Sequence, residues 1–344
     1  MKVSKNLIIT DTKPGNEWDF DKVLSKLTGE RWTTVHGGLQ YKLLKRKERI
    51  KRYINFFRFP LEIFIQRKKI KNLIAWQQYY GLVYALYCMI FHVKKCNYCM
   101  VMTFIYNERK GIFGAFQYAI VKKIVNSIYL DCIIVYSKYE KEYYERLFQV
   151  SAGKIFYCRL GLEDLTKGIP KAKQEGYILS AGRSNRDYAF LFNTLKGEKY
   201  KLKVVCDCIE EETEDNITVY KNTYYEDFFK LLANCFCVVI TLKNSNISSG
   251  QLVILQAKQF GKPVIITESL AITDYIVDGV DGFIIKKQKK ELLNKIQLLL
   301  DDHQLYKRMC HASRKSYEDK FSMNALGKQI VKYLKETGGK EHER

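Results

Sequence analysis

The stretch Ser245–Ile285, SNISSGQLVILQAKQFGKPVIITESLAITDYIVDGVDGFII, constrains the fold more than any other part of this chain. It reads as a small-residue loop, an amphipathic helix, a tight Gly-Lys-Pro turn and a buried strand. A second loop, a short helix and a Gly-containing turn follow. That order builds half of a nucleotide-binding crevice in an α/β sheet. Ser248, Ser249, Gly250 and Gln251 present small residues and free backbone N–H groups where the helix begins. The first N–H groups of a helix lack intrahelical partners and the helix dipole favours negative charge there, so such a start receives anions.

The rest of the chain extends the pattern. Strand-like runs at Asn6–Thr10, Leu73–Gln77, Met100–Ile105, Cys132–Ser137 and Lys154–Arg159 alternate with helical stretches such as Glu17–Leu27 and Tyr139–Phe148. The alternation restarts with strands at Tyr177–Ala181, Lys201–Val205, Ile217–Tyr220 and Cys237–Thr241. Repeated βα alternation predicts an α/β fold with mostly parallel sheets. A length of 344 residues favours two domains. The expected division is a first domain over residues 1–164, a polar linker over 165–175 and a second domain over 176–323. A closing helix and frayed tail take up 324–344.

A net charge of +21 calls for an anionic partner, whether nucleic acid, acidic lipid or a phosphate-bearing substrate. Much of it lies in Gln40–Lys71, with twelve Lys/Arg against two acids, interleaved with Tyr53, Phe56, Phe57, Phe59 and Phe64 and expected to break at Pro60. This segment fits a solvated basic helix over a core, or an element on an anionic membrane surface, where apolar side chains enter the interface and Lys/Arg meet headgroups. Nucleic acid is a third option. Met1–Gly15 carries neither the apolar core nor the cleavage site of a secretory leader. Ten Cys are then simplest as reduced core residues of a cytoplasmic chain. Cys96 and Cys99 form a C-x-x-C without the second pair that zinc requires. The longest apolar run, Gly81–Phe91, is far short of the ~20 residues that span a bilayer. The expected location is cytoplasmic, peripheral on the inner face of the cell membrane.

Ligands of open α/β sheets bind beyond the carboxyl ends of the strands. Four loops of the second half occupy such positions. In the first, Gly182 permits a tight exit, Arg183 and Arg186 offer forked donors for phosphate, and Asp187 caps the next helix. The others are Ser248–Gln251, the Thr267–Ala271 loop with Glu268, and the Asp278–Gly282 turn, whose glycines read as structural. In the first half, Gly15, Asn16, Gln77, Gln78 and Tyr106 sit on loops at the corresponding edge, as does His36. A His beside a Gly pair is more often a turn residue than a general base.

Phe260–Ile265 (FGKPVI), then Asp274–Gly279 (DYIVDG) and Asp281-Gly282-Phe283, resemble the donor domain of GT-B glycosyltransferases of family 4 and its relatives. Ile133–Glu140 followed by Leu160–Asp164 is similar to the segment leading into the interdomain linker of those enzymes. Leu73–Gly81 and Thr103–Gly111 are similar to a bacterial branch concerned with surface polysaccharide. The resemblance is strongest over Ile247–Phe283 and weaker before Asn72.

The resemblance implies two Rossmann-like domains facing each other across a cleft, with the C-terminal helix crossing back to the first. It implies retaining hexosyl transfer from a nucleotide-diphosphate sugar to a lipid-linked or surface-glycan acceptor, without a metal or other cofactor and without nucleic acid. Carried onto this sequence, the donor would meet Gly182, Ser248, Ser249, Gly250, Gln251, Leu252, Gln256 and Glu268. Arg183, Arg186 and His36 are the catalytic candidates. The acceptor would lie by Gly15, Asn16, Gln77, Gln78 and Tyr106. Two departures stand out. The family's pair of glutamates falls on Ser248 and Gln256, and its usual Lys after the Gly-Arg loop is missing, with Arg186 as the candidate substitute. The altered pair also fits a GT-B binding subunit of a polysaccharide assembly complex that has lost turnover.

Overall fold

The computed structural model describes residues 4–39, 46–170, 175–209, 215–246 and 249–338. They fall into two compact units. One comprises the described residues up to Cys158 together with those from Leu326 onward; the other runs from Arg159 to Ala325.

The first unit contains β1 (Asn6–Thr12), α1 (Phe20–Thr28), β2 (Trp32–Leu39), α2 (Arg46–Ile65), β3 (Asn72–Ala75) and α3 (Gln78–Ile90). It continues with β4 (Tyr98–Val101), α4 (Ile112–Val125), β5 (Cys132–Val135), α5 (Lys138–Phe148) and β6 (Ile155–Tyr157). The six strands are all parallel, in the order β2-β1-β3-β4-β5-β6. Short, wholly apolar strands such as Cys132–Val135 are buried throughout, as sheets covered by helices on both faces require.

Sequence reading placed His36–Gly38 on a loop. They belong to β2, an edge strand that pairs with β1. Gly37 fits there for a steric reason. A Cβ on it would lie 2.2 Å from the Tyr80 hydroxyl and 2.6 Å from Asn55 Nδ2, so α2 and α3 approach the strand where only glycine leaves room. The expected break at Pro60 is also absent, because α2 continues through it to Ile65. Cys99 is buried on β4 while Cys96 is exposed, so the C-x-x-C pair does not converge on one centre.

The second unit contains β7 (Ile178–Ala181), α6 (Tyr188–Leu195), β8 (Leu202–Val205), β9 (Ile217–Tyr220), α7 (Tyr225–Asn234) and β10 (Cys237–Ile240). Then follow α8 (Gln251–Gln259), β11 (Val264–Thr267), β12 (Gly282–Ile285), α9 (Lys289–Asp301) and α10 (His303–Ser316). Its parallel sheet has the order β12-β11-β10-β7-β8-β9. Along β10, Val238 and Ile240 enter the core on one face of the sheet, whereas Cys237 and Val239 enter the core on the other. That alternation explains a strand with no polar residue. A final helix, α11 (Met323–Gly338), runs on into the residues grouped with the first unit, where the Tyr333 hydroxyl donates to the Tyr157 carbonyl at 2.6 Å.

The Gly-Lys-Pro and Asp278–Gly282 turns are structural. Lys262 is buried and donates to the Cys235 carbonyl at 2.8 Å. Asp278 and Asp281 accept the backbone N–H groups of Ile284 and Val277. Beneath the second turn lies an ion pair that sequence reading did not anticipate. Lys258, fully buried on α8, meets Asp281 at 2.5 Å and the Ser316 hydroxyl at 3.2 Å. Burial pulls the Lys258 ammonium down to about 8, against the opposing pull of Asp281.

Removing one partner of a buried pair strands the other charge at a cost of about 3–5 kcal/mol. Lys258→Met should therefore lower unfolding stability in urea by that amount, and adding Asp281→Asn should recover more than half of it. A single variant within about 1 kcal/mol of the wild type would show that the pair does not hold this turn.

Candidate active site

In the second sheet the chain leaves β7 toward β8 and β9, then returns to the opposite side of β7 as β10. The strand order thus reverses between β7 and β10, and ligands of such sheets bind in the crevice beyond the carboxyl ends at that point. The two loops there are Gly182–Asp187 and the segment from Thr241 to Gly250, of which residues 247 and 248 lie outside the described part.

The loops are laced together. Asp187 N donates to the Thr241 carbonyl at 2.8 Å, and the Thr241 hydroxyl donates to the Asp187 carbonyl at 2.8 Å. The Asn185 side chain donates to the Asn244 carbonyl and accepts from Asn244 N, at 2.8 and 2.9 Å. Asn185 takes left-handed geometry, φ 57°, a conformation that Asn tolerates better than most side chains. Leu270 N donates to the Ser245 carbonyl at 3.0 Å, adding the loop after β11 to the assembly.

At the centre is Arg186, only 6% exposed. Its Nε donates to the Ala181 carbonyl at 2.9 Å, and its Nη1 to the Ser184 carbonyl at 2.9 Å and the Ser249 hydroxyl at 3.2 Å. Glycines flank it on both loops. A Cβ on Gly182 would stand 2.9 Å from Nη2, and one on Gly250 would stand 3.9 Å from Nη1. Both glycines have positive φ, 105° and 99°, so the backbone conformation also favours them. Burial lowers the affinity of the guanidinium for its proton. Among the described residues no carboxylate lies within ion-pair distance of it. A buried cation without an anion is costly, and one set beside the start of α8 makes a place for a ligand anion. Gly250 caps that helix, and its first-turn N–H groups add donors and a favourable dipole.

The remaining candidates divide. Arg183 is exposed on the same loop, in the field of Asp207. Gln251 opens α8, Leu252 is exposed beside it and Gln256 is half-buried one turn further on. Glu268 is exposed after β11. Ser248 lies outside the described residues. In the first unit, His36 is exposed on β2, where its Nδ1 accepts from Gly38 N at 3.2 Å, an arrangement that closes a local turn. Gly15 and Asn16 are exposed after β1, and Gln77 and Gln78 follow β3 at the start of α3. Tyr106 corrects the sequence reading. It is buried, with its ring 5.1 Å from that of Phe148 and its N–H on the Tyr144 hydroxyl, so it packs a core instead of lining a surface. Sequence reading missed Asp207, which accepts from Asn222 N at 2.8 Å and from the Tyr224 hydroxyl. These contacts, the tyrosine's first, hold its carboxyl below the usual range. Its position after β8 is the signal that could have found it. Among the described residues no group of three or more His, Cys, Asp or Glu stands in a metal-binding arrangement.

Residues 169–316, which contain both loops and Arg186, match the family model described as Glycosyl transferases group 1. The match lies within the second unit. A stretch of 91 residues is 33% identical to the capsular polysaccharide biosynthesis glycosyltransferase CapM of Staphylococcus aureus. It takes in 25% of this chain and 24% of that protein, so the match spans about a quarter of the relative's length. Among solved structures, HepE of Anabaena in complex with UDP superimposes with a TM-score of 0.68 at 14% identity, over 96% of this chain and 100% of that one. A glycosyltransferase of Rickettsia africae gives 0.68 at 15% identity, over 97% of this chain and 98% of that one. At these identities the likeness is one of fold, and the fold is GT-B.

An anion placed against Arg186 exchanges an uncompensated buried charge for charge-assisted hydrogen bonds, worth about 1.5–3 kcal/mol each. Calorimetry with inorganic pyrophosphate should show Arg186→Met weakening binding by roughly 10- to 100-fold, against tenfold or less for Arg183→Met. Equal losses, or none, would remove Arg186 from the anion site.

Proposed function

We propose that this chain is a glycosyltransferase that moves a hexosyl unit, with retention, from a nucleotide-diphosphate sugar to a lipid-linked or surface-glycan acceptor. The observation that carries the reading is the buried Arg186 between Gly182 and Gly250, with no carboxylate at ion-pair distance among the described residues, inside the stretch that matches the group 1 family model. That HepE was solved with UDP and with UDP-glucose supports a diphosphate donor here. As the bond between sugar and diphosphate breaks, negative charge grows on the leaving oxygens. Preorganised donors aimed at that charge are often the largest catalytic term. In this reading Arg186, the first N–H groups of α8 and the exposed Arg183 meet it, and Gln256 donates to and accepts from donor hydroxyls.

A second reading, a binding subunit without turnover, is favoured by the neutral Gln256 where the resemblance places a carboxylate. A panel of nucleotide sugars, assayed for release of nucleoside diphosphate with membranes supplied, separates the two. Turnover with at least one donor, falling about 100-fold or more in Arg186→Met, is the expected result. Tight binding without turnover of any donor would favour the binding subunit.

We further propose that the first unit docks on an anionic bilayer. The inner face of α2 buries Phe56, Phe59, Ile63 and Phe64, yet its outer face exposes Ile50, Ile54, Phe57, Leu61 and Ile65 at helical spacing, flanked by Lys51 and Arg58. Phe91, exposed after α3, stacks 5.4 Å from the buried Phe64 of the inner face. On α4, Ile112 and Phe113 are 87% and 88% exposed beside Arg109 and Lys110. Inserted apolar side chains and cations facing anionic headgroups would attach the chain peripherally and reversibly. Among the described residues no helix is long and apolar enough to cross a membrane. Flotation with phosphatidylglycerol vesicles should capture the wild type and lose about tenfold in Phe57→Asp/Phe113→Asp. Undiminished flotation of the variant, or tighter binding to duplex DNA at equal salt, would contradict docking through these faces.

A further inference from the structure

α10 carries a cationic face that neither the packing of the second unit nor the Arg186 loops use. His303, Lys307, Arg308, His311 and Lys315 are all exposed, and at 3.6 residues per turn they fall within about 140° of the helix circumference. The opposite face is buried through Tyr306, Met309, Ser313 and Ser316. None of the five exposed residues has a salt bridge or side-chain hydrogen bond among the described residues. Acids at the margin are already committed. Asp164 and Glu318 both pair with Arg314, at 2.9 and 2.7 Å, and Asp302 caps the helix through Leu305 N.

Along one margin of this face lies a cavity of about 480 Å³, within the ~300–1,000 Å³ range of ligand pockets. It sits where β10 and β11 begin, at the end of the sheet opposite the Arg186 loops: Ala233 ends α7 just before β10, and Gly261 comes just before β11. Ile169, Pro170 and Phe260 supply apolar walls, and Cys310 and His311 join the cavity to the cationic face. Phe229 backs Phe260, with ring centroids 6.2 Å apart and planes at 25°. The walls are held in place. Thr166 donates to Asp164 through both its N–H and its hydroxyl, at 3.1 and 2.6 Å. α10 packs so close to Gly261 that a Cβ there would stand 3.2 Å from the Cys310 carbonyl.

We propose that this face binds an acidic peptide segment of a partner protein, with one apolar side chain in the cavity and carboxylates along His303–Lys315. Charge complementarity sets the sign of the partner. The stripe is about 18 Å long, the span of five or six residues of extended chain at about 3.3 Å each. The placing of apolar surface separates a peptide from a bilayer. A bilayer takes in side chains that protrude, as Phe57 and Ile65 do on α2, whereas no large hydrophobic residue of α10 is exposed. Here the apolar surface is recessed, so the partner must bring the apolar group, as an anchor residue does. The proposal does not depend on the glycosyl-transfer reading.

The probe is a fluorescein-labelled decapeptide of Asp and Glu with one central Phe, and its counterpart with Ser in place of Phe. Fluorescence anisotropy with full-length protein in about 0.1 M salt should give a Kd of roughly 10–100 μM for the Phe peptide, weakening as salt rises. The Ser peptide should bind about fivefold or more weakly. Lys307→Glu/Lys315→Glu should weaken the Phe peptide about tenfold or more, against less than about twofold for the charge-matched Lys68→Glu/Lys69→Glu of the first unit. Ile169→Asp, which places an acid in the cavity wall, should weaken the Phe peptide and leave the Ser peptide unchanged. Circular dichroism and pyrophosphate calorimetry should match the wild type in the Lys307→Glu/Lys315→Glu variant, as should flotation with phosphatidylglycerol vesicles. Equal affinity for the two peptides, or equal losses in the two double variants, would overturn the proposal. So would loss of flotation with peptide binding retained, which would assign the face to a membrane, or tighter binding of duplex DNA than of the Phe peptide at equal salt.

Discussion

A guanidinium held out of water, with no carboxylate at ion-pair distance among the described residues, is the constraint around which the strand-end loops of the second unit are built. Arg186 gives its hydrogen bonds to two backbone carbonyls and one serine hydroxyl, none of which carries a charge. Burying a charge costs several kcal/mol unless a counter-charge is supplied. The surrounding residues keep the arginine in place in spite of that cost. Gly182 and Gly250 clear the space, the Asn185–Asn244 exchange fixes the loops, and the Thr241–Asp187 bonds close the base. In the proposed reading an anionic ligand supplies the counter-charge.

The helix that starts at this point is anchored at its other end. Lys258 ties the last turn of α8 to Asp281 and Ser316. Gln259 donates to the Glu163 carbonyl and accepts from Leu165 N. Asp164 pairs with Arg314 at 2.9 Å, and the Tyr317 hydroxyl donates to the Leu162 carbonyl, so the chain's entry into the second unit packs against the same helix and its neighbours. A helix fixed along its length keeps its dipole and first N–H groups aimed in one direction, which is what stabilising a departing diphosphate requires.

Most strands were legible because a wholly apolar run four residues long can be little else in a parallel sheet, as Cys237–Ile240 and Cys132–Val135 illustrate. β2 was not, because Trp32–Leu39 mixes threonines, a histidine and two glycines, and Gly37 is explained only by Tyr80 and Asn55, distant in sequence. Pro60 reads as a breaker, yet packing of Phe56, Phe59, Ile63 and Phe64 carries α2 through it. The place of Gly182–Arg186 and Ser249–Gln251 at a strand end and a helix start could be read from residue types. The separation of the two arginines into one buried and one exposed could not, since it arises from contacts across some sixty residues of chain. The same holds for Lys258, which looks like a solvated helix residue until Asp281 is brought beneath it, and for Trp18 and Trp76, which meet only through the order of the strands.

The account stands most directly on where a diphosphate sits. A crystal structure of the chain with a bound nucleoside diphosphate should place phosphate oxygens within hydrogen-bonding distance, about 2.7–3.2 Å, of the Arg186 guanidinium or of the first N–H groups of α8. A diphosphate bound elsewhere, with Arg186 making the same three contacts and the start of α8 facing only water, would contradict it.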